Sequence, residues 1–263
     1  MKNIINTLVI LFSLNSVFAQ DSAFLVFDTN ANGLEIDNLG NIYLINSNVV
    51  TKYDANMNFL CAYDNYPAGS MSSIDTHNPF KVIVFYSEYN KLIYLDSKLS
   101  ELYSPIFLED AKLYNTKVVC SSSFGGFWVF DEQNVCVRRV SSNLEISQQG
   151  TNIYDKLGEA NVIAMRESIS YLFLLTDDGK FLILDKFGNF YKVIDIGEPC
   201  SDFCIDNDML YYSKNGEIFA YDIMEDKIVT IPSDGKADKF RIRHDLLYML
   251  IDNKLKCSKI LIE

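Results

Sequence analysis

Two histidines and six cysteines limit the nucleophilic chemistry open to this chain. Hydrolysis by a serine or cysteine nucleophile needs a histidine within hydrogen-bond reach and a carboxylate behind it. No Gly-x-Ser-x-Gly segment accompanies His77 or His244, and both histidines stand next to turn-forming residues. We therefore expect two exposed turn histidines, and the sequence predicts no catalytic residue and no enzyme.

Five of the six cysteines stand beside strand-like apolar residues, where cysteine is often a small buried hydrophobe. Cys200 and Cys204 have a Cys-x3-Cys spacing, which could also close a small loop or supply two zinc ligands. Zinc would need two further ligands, and the two histidines are not spaced as a pair. Buried thiols are the favoured interpretation, a disulfide is the alternative, and we predict neither a metal nor a cofactor.

Two sets of carboxylates invite comparison with calcium sites. Residues 28–33 (Asp-Thr-Asn-Ala-Asn-Gly) begin like a calcium loop, but Leu39 occupies the twelfth position, where a bidentate Glu is required. A polar turn is the favoured interpretation. Three aspartates that end strand-like runs could bind calcium in a common channel if those strand ends converged, although aspartates that begin turns are the simpler explanation: Asp37, Asp75 and Asp206.

The charge balance excludes some classes of partner. The chain has 35 acidic and 23 basic residues, a net charge of −12. Nucleic acids and anionic bilayers select Lys- and Arg-rich surfaces, so we predict no nucleic-acid partner and no direct membrane insertion. A neutral or basic protein partner remains open.

The elements that must position these residues are short apolar runs, which recur in fours with Asn, Asp or Gly between them. The first set covers residues 34–37, 41–45, 49–53 and 59–63. An apolar residue followed by Asp ends the third run of four sets, at Asp54, Asp96, Asp185 and Asp222. Their separations fit multiples of roughly 40 residues, the period of a propeller blade. The sequence therefore predicts an all-β, six-bladed β-propeller with blades of four antiparallel strands; a β-sandwich is the alternative.

The two ends of the repeat predict how the ring closes. The sixth set lacks a fourth strand, and residues 23–27 belong to no set. We expect this N-terminal strand to complete the last blade, which makes residues 20–263 a single propeller domain.

The second blade is expected to close near Leu102 and Tyr103. Arg241 and Arg243, on the innermost strand of the sixth blade, are expected either to place a cation in the channel or to be neutralised by neighbouring carboxylates.

Residues 1–19 have the pattern of a secretory signal peptide. Lys2 precedes an apolar stretch, and the sequence Val17-Phe18-Ala19-Gln20 offers a cleavage site after Ala19. Polar residues interrupt the stretch, so it is too short for a transmembrane anchor. We predict export to the periplasm, with association with the outer membrane as a further expectation.

Two segments carry a resemblance to a known family. Residues 33–44 and 176–189 resemble the D-x-x-G-N-I-Y and Y-D-x-x-G blade signatures of NHL-like and related six-bladed propellers. The abundance of Asn, Ile, Lys and Tyr, with the Phe-Ala-Gln cleavage end, is similar to exported proteins of Bacteroidota. Some small propellers of that group associate with the outer-membrane translocon of the type nine secretion system. The resemblance thus implies an accessory or pore-covering, plug-like subunit; calcium-dependent hydrolase or lactonase propellers and glycan-binding propellers are the alternatives.

Long connections supply the candidate interaction residues. In a propeller, the connections from each outer strand to the next inner strand share one face, which here receives residues 64–72, 105–116, 149–161 and 231–238. Loops of this kind often carry recognition residues. Four aromatic residues are candidate anchors for a protein partner: Tyr66, Phe107, Tyr114 and Tyr154. The alternative is that these rings pack on their own blades.

Overall fold

The computed structural model describes residues 23–200, 202–237 and 239–260, and in these residues six sheets of four antiparallel strands form a ring of blades. Within each of the first five blades, four consecutive strands pair in chain order from the innermost to the outermost. The all-β, six-bladed propeller predicted from the 40-residue period is confirmed. Residues 1–19, the predicted signal peptide, lie outside the described residues.

Blades 1 to 3 contain twelve strands, whose bounds are as follows. Blade 1 has β2 (Gly33–Ile36), β3 (Ile42–Asn46), β4 (Val49–Tyr53) and β5 (Phe59–Tyr63). Blade 2 has β6 (Ser73–Asp75), β7 (Val82–Tyr86), β8 (Lys91–Leu95) and β9 (Ile106–Phe107). Blade 3 has β10 (Val119–Ser121), β11 (Phe127–Asp131), β12 (Cys136–Val140) and β13 (Ile146–Gln149).

Blades 4 to 6 contain the remaining described strands. Blade 4 has β14 (Val162–Glu167), β15 (Tyr171–Thr176), β16 (Lys180–Asp185) and β17 (Phe190–Asp195). Blade 5 has β18 (Phe203–Asp206), β19 (Met209–Lys214), β20 (Glu217–Asp222) and β21 (Lys227–Ile231). Blade 6 has β22 (Lys239–Arg243), β23 (Leu246–Ile251), β24 (Lys254–Lys259) and β1 (Leu25–Asp28).

Helical structure is confined to short segments of the connections. They are the helix α1 (Tyr154–Leu157) and three 3₁₀ helices, at Tyr66–Ala68, Ser87–Tyr89 and Leu108–Ala111. None of the helices in the described part of the chain has the length and apolar character of a membrane span.

The apolar side chains lie between blades, where they form six cores around the ring. The second strands β3 and β7 are buried along almost their whole length, because both faces of a blade pack against neighbouring blades. One core joins blades 3 and 4 through Trp128 and Leu174, and another joins blades 4 and 5 through Phe181 and Phe203. Outermost strands such as β5 and β21 are largely exposed.

Aspartates at the ends of the third strands close the turns to the fourth strands. The Asp54 Oδ1 accepts hydrogen bonds from the backbone N–H groups of Asn56 and Asn58, both at 2.9 Å. Asp96 and Asp185 make the same pair of bonds in blades 2 and 4. This local capping explains why the apolar-Asp pair recurs with the blade period.

The N-terminal strand closes the ring, as predicted. β1 pairs with β24 in antiparallel register, from Leu25 opposite Cys257 to Asp28 opposite Lys254. The Phe27 ring meets Tyr53 of blade 1 edge to face, at 5.5 Å between centroids. The strand that completes blade 6 therefore also joins it to blade 1.

The outer strand of blade 2, predicted to close near Leu102 and Tyr103, is confirmed in part, because Glu101 forms an isolated bridge with Leu95. Leu102 donates its N–H to the Tyr94 carbonyl, but the regular pairing is made further on, between Ile106–Phe107 and the start of β8. Pro105 lies between these two stretches and has no N–H to donate. The outermost strand of this blade is therefore interrupted and short.

Removing β1 tests the closure. A chain that starts at Thr29 exposes the edge of β24 and loses the packing of Leu25 and Phe27, so we expect its melting temperature to fall by roughly 10 °C or more. A chain that starts at Asp21 keeps β1 and is the control. Equal melting temperatures for the two chains, measured by circular dichroism, would contradict the closure.

Candidate functional site

A cluster of paired charges crosses the central channel. Glu35 of β2 accepts a hydrogen bond from Arg166 Nη2 of β14 at 2.7 Å and from Arg241 Nε of β22 at 2.9 Å. Arg241 Nη1 also lies 2.7 Å from the Oδ2 of Asp202, which precedes β18. Blades 1 and 4 are opposite each other in a ring of six, so the pair formed by Glu35 and Arg166 spans the channel.

The electrostatics of this cluster favour the charged state of every member whose pKa is shifted. Burial alone would raise the pKa of Glu35, but the charges and hydrogen bonds of Arg166 and Arg241 lower it to about 2. Burial opposes the charge of Arg241, and the carboxylates of Asp202 and Glu35 still hold its pKa well above the ordinary value. Glu35 is therefore an anion at neutral pH and is not suited to act as a general acid.

Carboxylates on the innermost strands also tie neighbouring blades together. Asp75 of blade 2 accepts hydrogen bonds from the N–H and hydroxyl of Ser121 in blade 3, at 2.8 and 2.9 Å. Glu167 of blade 4 accepts a bond from the Trp128 indole of blade 3 at 2.8 Å. Asp206 of blade 5 pairs with Arg243 of blade 6 at 2.7 Å.

The three aspartates considered as calcium ligands do not converge. Asp37 lies in its own blade, where it accepts a hydrogen bond from the Tyr43 hydroxyl at 2.9 Å and lies 3.6 Å from Lys52 Nζ. Asp75 and Asp206 bind the donors of adjacent blades described above. Within the described residues, no three His, Cys, Asp or Glu side chains are grouped to hold a metal ion.

The loop that begins like a calcium site is a polar turn between β1 and β2. The Asp28 side chain is 88 % exposed, and the Thr29 hydroxyl accepts a hydrogen bond from the Ala31 N–H at 3.1 Å. The two histidines also occupy exposed turns, as predicted, next to Asp75 and Arg243 on the same face of the ring.

All six cysteines are free thiols, and five are buried. The Cys200 Sγ lies 3.1 Å from the Asp202 carbonyl, to which it donates, and the Cys204 Sγ accepts from the Ile242 N–H at 3.4 Å. Each sulfur of this pair thus has its own backbone partner. The interpretation of the cysteines as small buried side chains is confirmed for all except Cys61, which is half-buried.

The four predicted anchors lie on one face, which we call the long-loop face: residues 64–72, 107–118, 150–161 and 232–237. Their side chains are between 47 and 69 % exposed: Tyr66, Phe107, Tyr114 and Tyr154. Phe107 differs from the three tyrosines because it ends the outermost strand β9, at the rim of the face. Tyr66 lines a groove of about 460 Å³ together with residues 29–31 and the β3–β4 turn. The role of these four aromatic residues in partner binding stays a prediction.

The cross-channel cluster was only partly predictable. Arg241 and Arg243 were expected to place a cation in the channel or to be neutralised by carboxylates, and the second of these outcomes is found. Glu35, Arg166 and Asp202 were missed. The sequence signal that could have indicated this cluster was Glu35, a single charged residue within the otherwise apolar strand β2.

No protein-family model and no curated protein sequence matches the chain. Several solved structures are similar. A streptogramin B lyase is 13 % identical, with 87 % of this chain and 78 % of that chain covered and a TM-score of 0.60. The Pan2 WD40 domain of Neurospora crassa is 14 % identical, with 84 and 72 % covered and a TM-score of 0.59. A chain of the mitotic checkpoint complex is 11 % identical, with 97 and 99 % covered and a TM-score of 0.60. At these identities the likeness shows the propeller fold alone, so the resemblance to six-bladed propellers is supported for fold only.

Replacing Glu35 tests the channel cluster. The Glu35→Gln variant leaves the buried Arg241 and the partly buried Arg166 short of an anion, so we expect it to lose roughly 3–5 kcal/mol of unfolding free energy at pH 7. The folded pKa is about 2 and the ordinary value is 4.5. The stabilisation by Glu35 is therefore complete above pH 4.5 and is lost as the pH falls toward 2. Urea unfolding at a series of pH values should show the gap between the two proteins closing over that interval.

The matched control is Glu217→Gln, at an exposed position on β20. We expect it to change the unfolding free energy by less than about 0.5 kcal/mol. A gap between wild type and Glu35→Gln that stays constant from pH 7 to pH 2 would contradict the proposed electrostatics.

Alkylation tests the state of the cysteines. Burial raises the pKa of Cys204 to about 12 and the pKa values of Cys200 and Cys257 to about 11, so these thiols should react slowly in the native chain at pH 8. We expect iodoacetamide to modify mainly the half-buried Cys61, and all six cysteines in urea without reductant. Mass spectrometry counts the adducts. Fast native modification of Cys200, or fewer than six adducts in urea, would contradict the buried free thiols.

Proposed function

We propose that this chain is a non-enzymatic module that binds a protein partner through the long-loop face. The observation that carries the proposal is the exposure of Tyr66, Tyr114 and Tyr154 on successive connections between blades, with Phe107 at the rim. Within the described residues, none of these four rings packs against another aromatic ring. Tyrosines that expose a large apolar area at low entropic cost are typical of interface hot spots.

The scaffold suits this role because it is closed and holds its loops on a fixed frame. Six cores between blades and a closing strand leave the connections as the variable surface. The net charge of −12 favours a neutral or basic partner surface, and such an association should weaken as salt rises. A propeller chain of similar fold belongs to the mitotic checkpoint complex, and that assembly shows that the fold serves in complexes.

A more specific proposal concerns the cellular compartment of the protein and the complex to which it belongs. The N-terminal segment and the resemblance to exported Bacteroidota propellers support a periplasmic protein. We propose an accessory or pore-covering subunit of an outer-membrane secretion complex of the type nine kind. The paired charges of Glu35, Arg166 and Arg241 support the pore-covering role, because a disc with an occluded centre can cover a channel.

The enzyme alternative has one point in its favour, which is that a streptogramin B lyase has a similar fold. The calcium-dependent version needs acidic ligands that face a common ion. Asp37, Asp75 and Asp206 instead bind protein donors in separate places. We therefore rank this alternative below the interaction module. Glycan binding, for which the groove beside Tyr66 is the candidate place, is an outcome of the experiment below.

Affinity purification from detergent-solubilised outer membranes tests the proposal. We expect the tagged chain to recover a large outer-membrane assembly at low salt, and less of it as salt rises. Replacing Tyr114 and Tyr154 together by Ala should reduce the affinity for the purified assembly roughly 30-fold, the effect of about 2 kcal/mol at an interface hot spot.

The matched control replaces Val193 and Ile228 by Ala, because both are exposed apolar residues on the outermost strands β17 and β21. It should bind as the wild type does. Recovery of the chain alone, or equal affinities for both double variants, would contradict the proposal. Binding to a glycan array that is lost in Tyr66→Ala would favour the glycan-binding alternative instead.

A further inference from the structure

The face opposite the long-loop face presents apolar side chains around the channel mouth. We call it the inner-turn face; it is formed by the turns between the first and second strands of blades 1 to 4, residues 37–41, 76–81, 122–126 and 168–170. Each turn exposes one large apolar side chain, between 59 and 65 % exposed: Leu39, Phe80, Phe124 and Ile169. Four successive blades thus share a feature that their turns do not need, since an Asp or Ser side chain caps each turn: Asp37, Asp75, Ser122 and Ser168.

Blades 5 and 6 show that the apolar residues are not required by the fold. Their equivalent turns consist of Asn207 with Asp208 and His244 with Asp245, all with positive φ angles. These two turns are polar and connect the strands equally well. The apolar side chains therefore form an arc over four blades and not a full ring.

A groove of about 430 Å³ lies within this arc. Leu39, Phe80 and Ile83 line it on the side of blades 1 and 2, and small residues of blade 3 line the other side: Ser121, Ser122, Ser123, Gly125 and Gly126. Tyr94 also lines the groove and is only 5 % exposed. Its hydroxyl has no hydrogen-bond partner among the described residues. A buried donor without a partner is costly, which singles out this position as one that a bound polar group would satisfy.

Three basic side chains lie beside the apolar arc, one over Tyr94 and two over Phe124. Lys81 Nζ lies 4.5 Å from the centroid of the Tyr94 ring. The guanidinium of Arg139 lies 4.8 Å and Lys186 Nζ 5.6 Å from the centroid of the Phe124 ring. Within the described residues, none of these three cations forms a salt bridge. The carboxylates nearest the groove, Asp75 and Glu167, accept hydrogen bonds from the N–H groups of Ser121 and Ser123, so the three cations are the charged groups left to pair with a ligand.

We propose that this groove binds an extended peptide segment of a protein partner, with apolar side chains and at least one carboxylate. Apolar side chains of the peptide cover Leu39 and Phe80, its carboxylate pairs with Lys81 or the cations beside Phe124, and a backbone carbonyl accepts the bond that the Tyr94 hydroxyl can donate. A peptide fits better than a small acid because exposed apolar residues spread over four blades need several side chains to cover them. This site is additional to the one on the long-loop face.

Selection from a displayed library of random heptapeptides, with the full chain as target, tests the proposal. We expect enriched sequences that combine Leu or Phe with Asp or Glu. Fluorescence anisotropy with an enriched heptapeptide, synthesised with blocked ends, then gives the affinity. The double variant Leu39→Ser with Phe80→Ser should weaken binding at least tenfold, and Ile228→Ser on the outer strand β21 should not change it.

The Tyr94→Phe variant separates a binding role from a structural one. It removes a hydroxyl that has no partner in the described structure, so the melting temperature should not fall, while peptide affinity should drop several-fold. The Tyr114→Ala, Tyr154→Ala variant of the long-loop face should bind the peptide with unchanged affinity. Loss of peptide binding can therefore be told apart from loss of the partner that the long-loop face is proposed to bind.

Four results would overturn the proposal. They are the absence of any enriched sequence, enrichment of basic peptides, equal binding of the peptide by the Leu39→Ser, Phe80→Ser variant, and a concentration-dependent dimer that this variant abolishes. The last result, seen by analytical ultracentrifugation, would mean that a second copy of the chain covers the arc.

Discussion

Closure of the ring is the constraint on which the rest of this structure depends. Each blade is apolar on both faces, so it is stable only between two neighbours, and an open row would leave two faces in water. The chain meets this requirement by pairing β1 with β24, which places Phe27 against Tyr53 of blade 1. The first described strand therefore supplies the outermost strand of the last blade.

Closure also determines the chemistry of the channel. It brings six innermost strands together around a narrow axis, where charges are costly unless they are paired. Glu35 receives Arg166 from across the axis and Arg241 from the adjacent blade, and Asp202 receives the other end of Arg241. The four charged groups of this cluster are thus bound to one another. The surfaces left for recognition are the two faces of the ring.

The fold could be predicted from the sequence because the sequence signals for it are local. The apolar-Asp pair recurs since each aspartate, such as Asp54, caps its own turn. The channel cluster was harder to predict because Glu35 and Arg166 are 131 residues apart and meet only in a closed ring. In blade 2 the outermost pairing is interrupted around Pro105, which has no N–H to donate, and it resumes at Ile106. The side of the ring on which Tyr66 and Tyr154 lie followed from the strand order, whereas the apolar arc escaped notice because single residues such as Leu39 look like ordinary turn residues.

The two faces differ in chemistry, and the cores between them fix their separation. The long-loop face presents tyrosines on connections of about ten residues, while the inner-turn face presents single apolar side chains with cations beside them. Strands of five or six residues set the two surfaces roughly 20 Å apart. Close-packed cores such as that of Trp128 and Leu174 have low compressibility, which keeps this separation constant. A protein with both proposed sites would therefore hold two partners at a fixed distance by simultaneous binding, and the paired charges at its centre would serve to keep the ring that joins those sites intact.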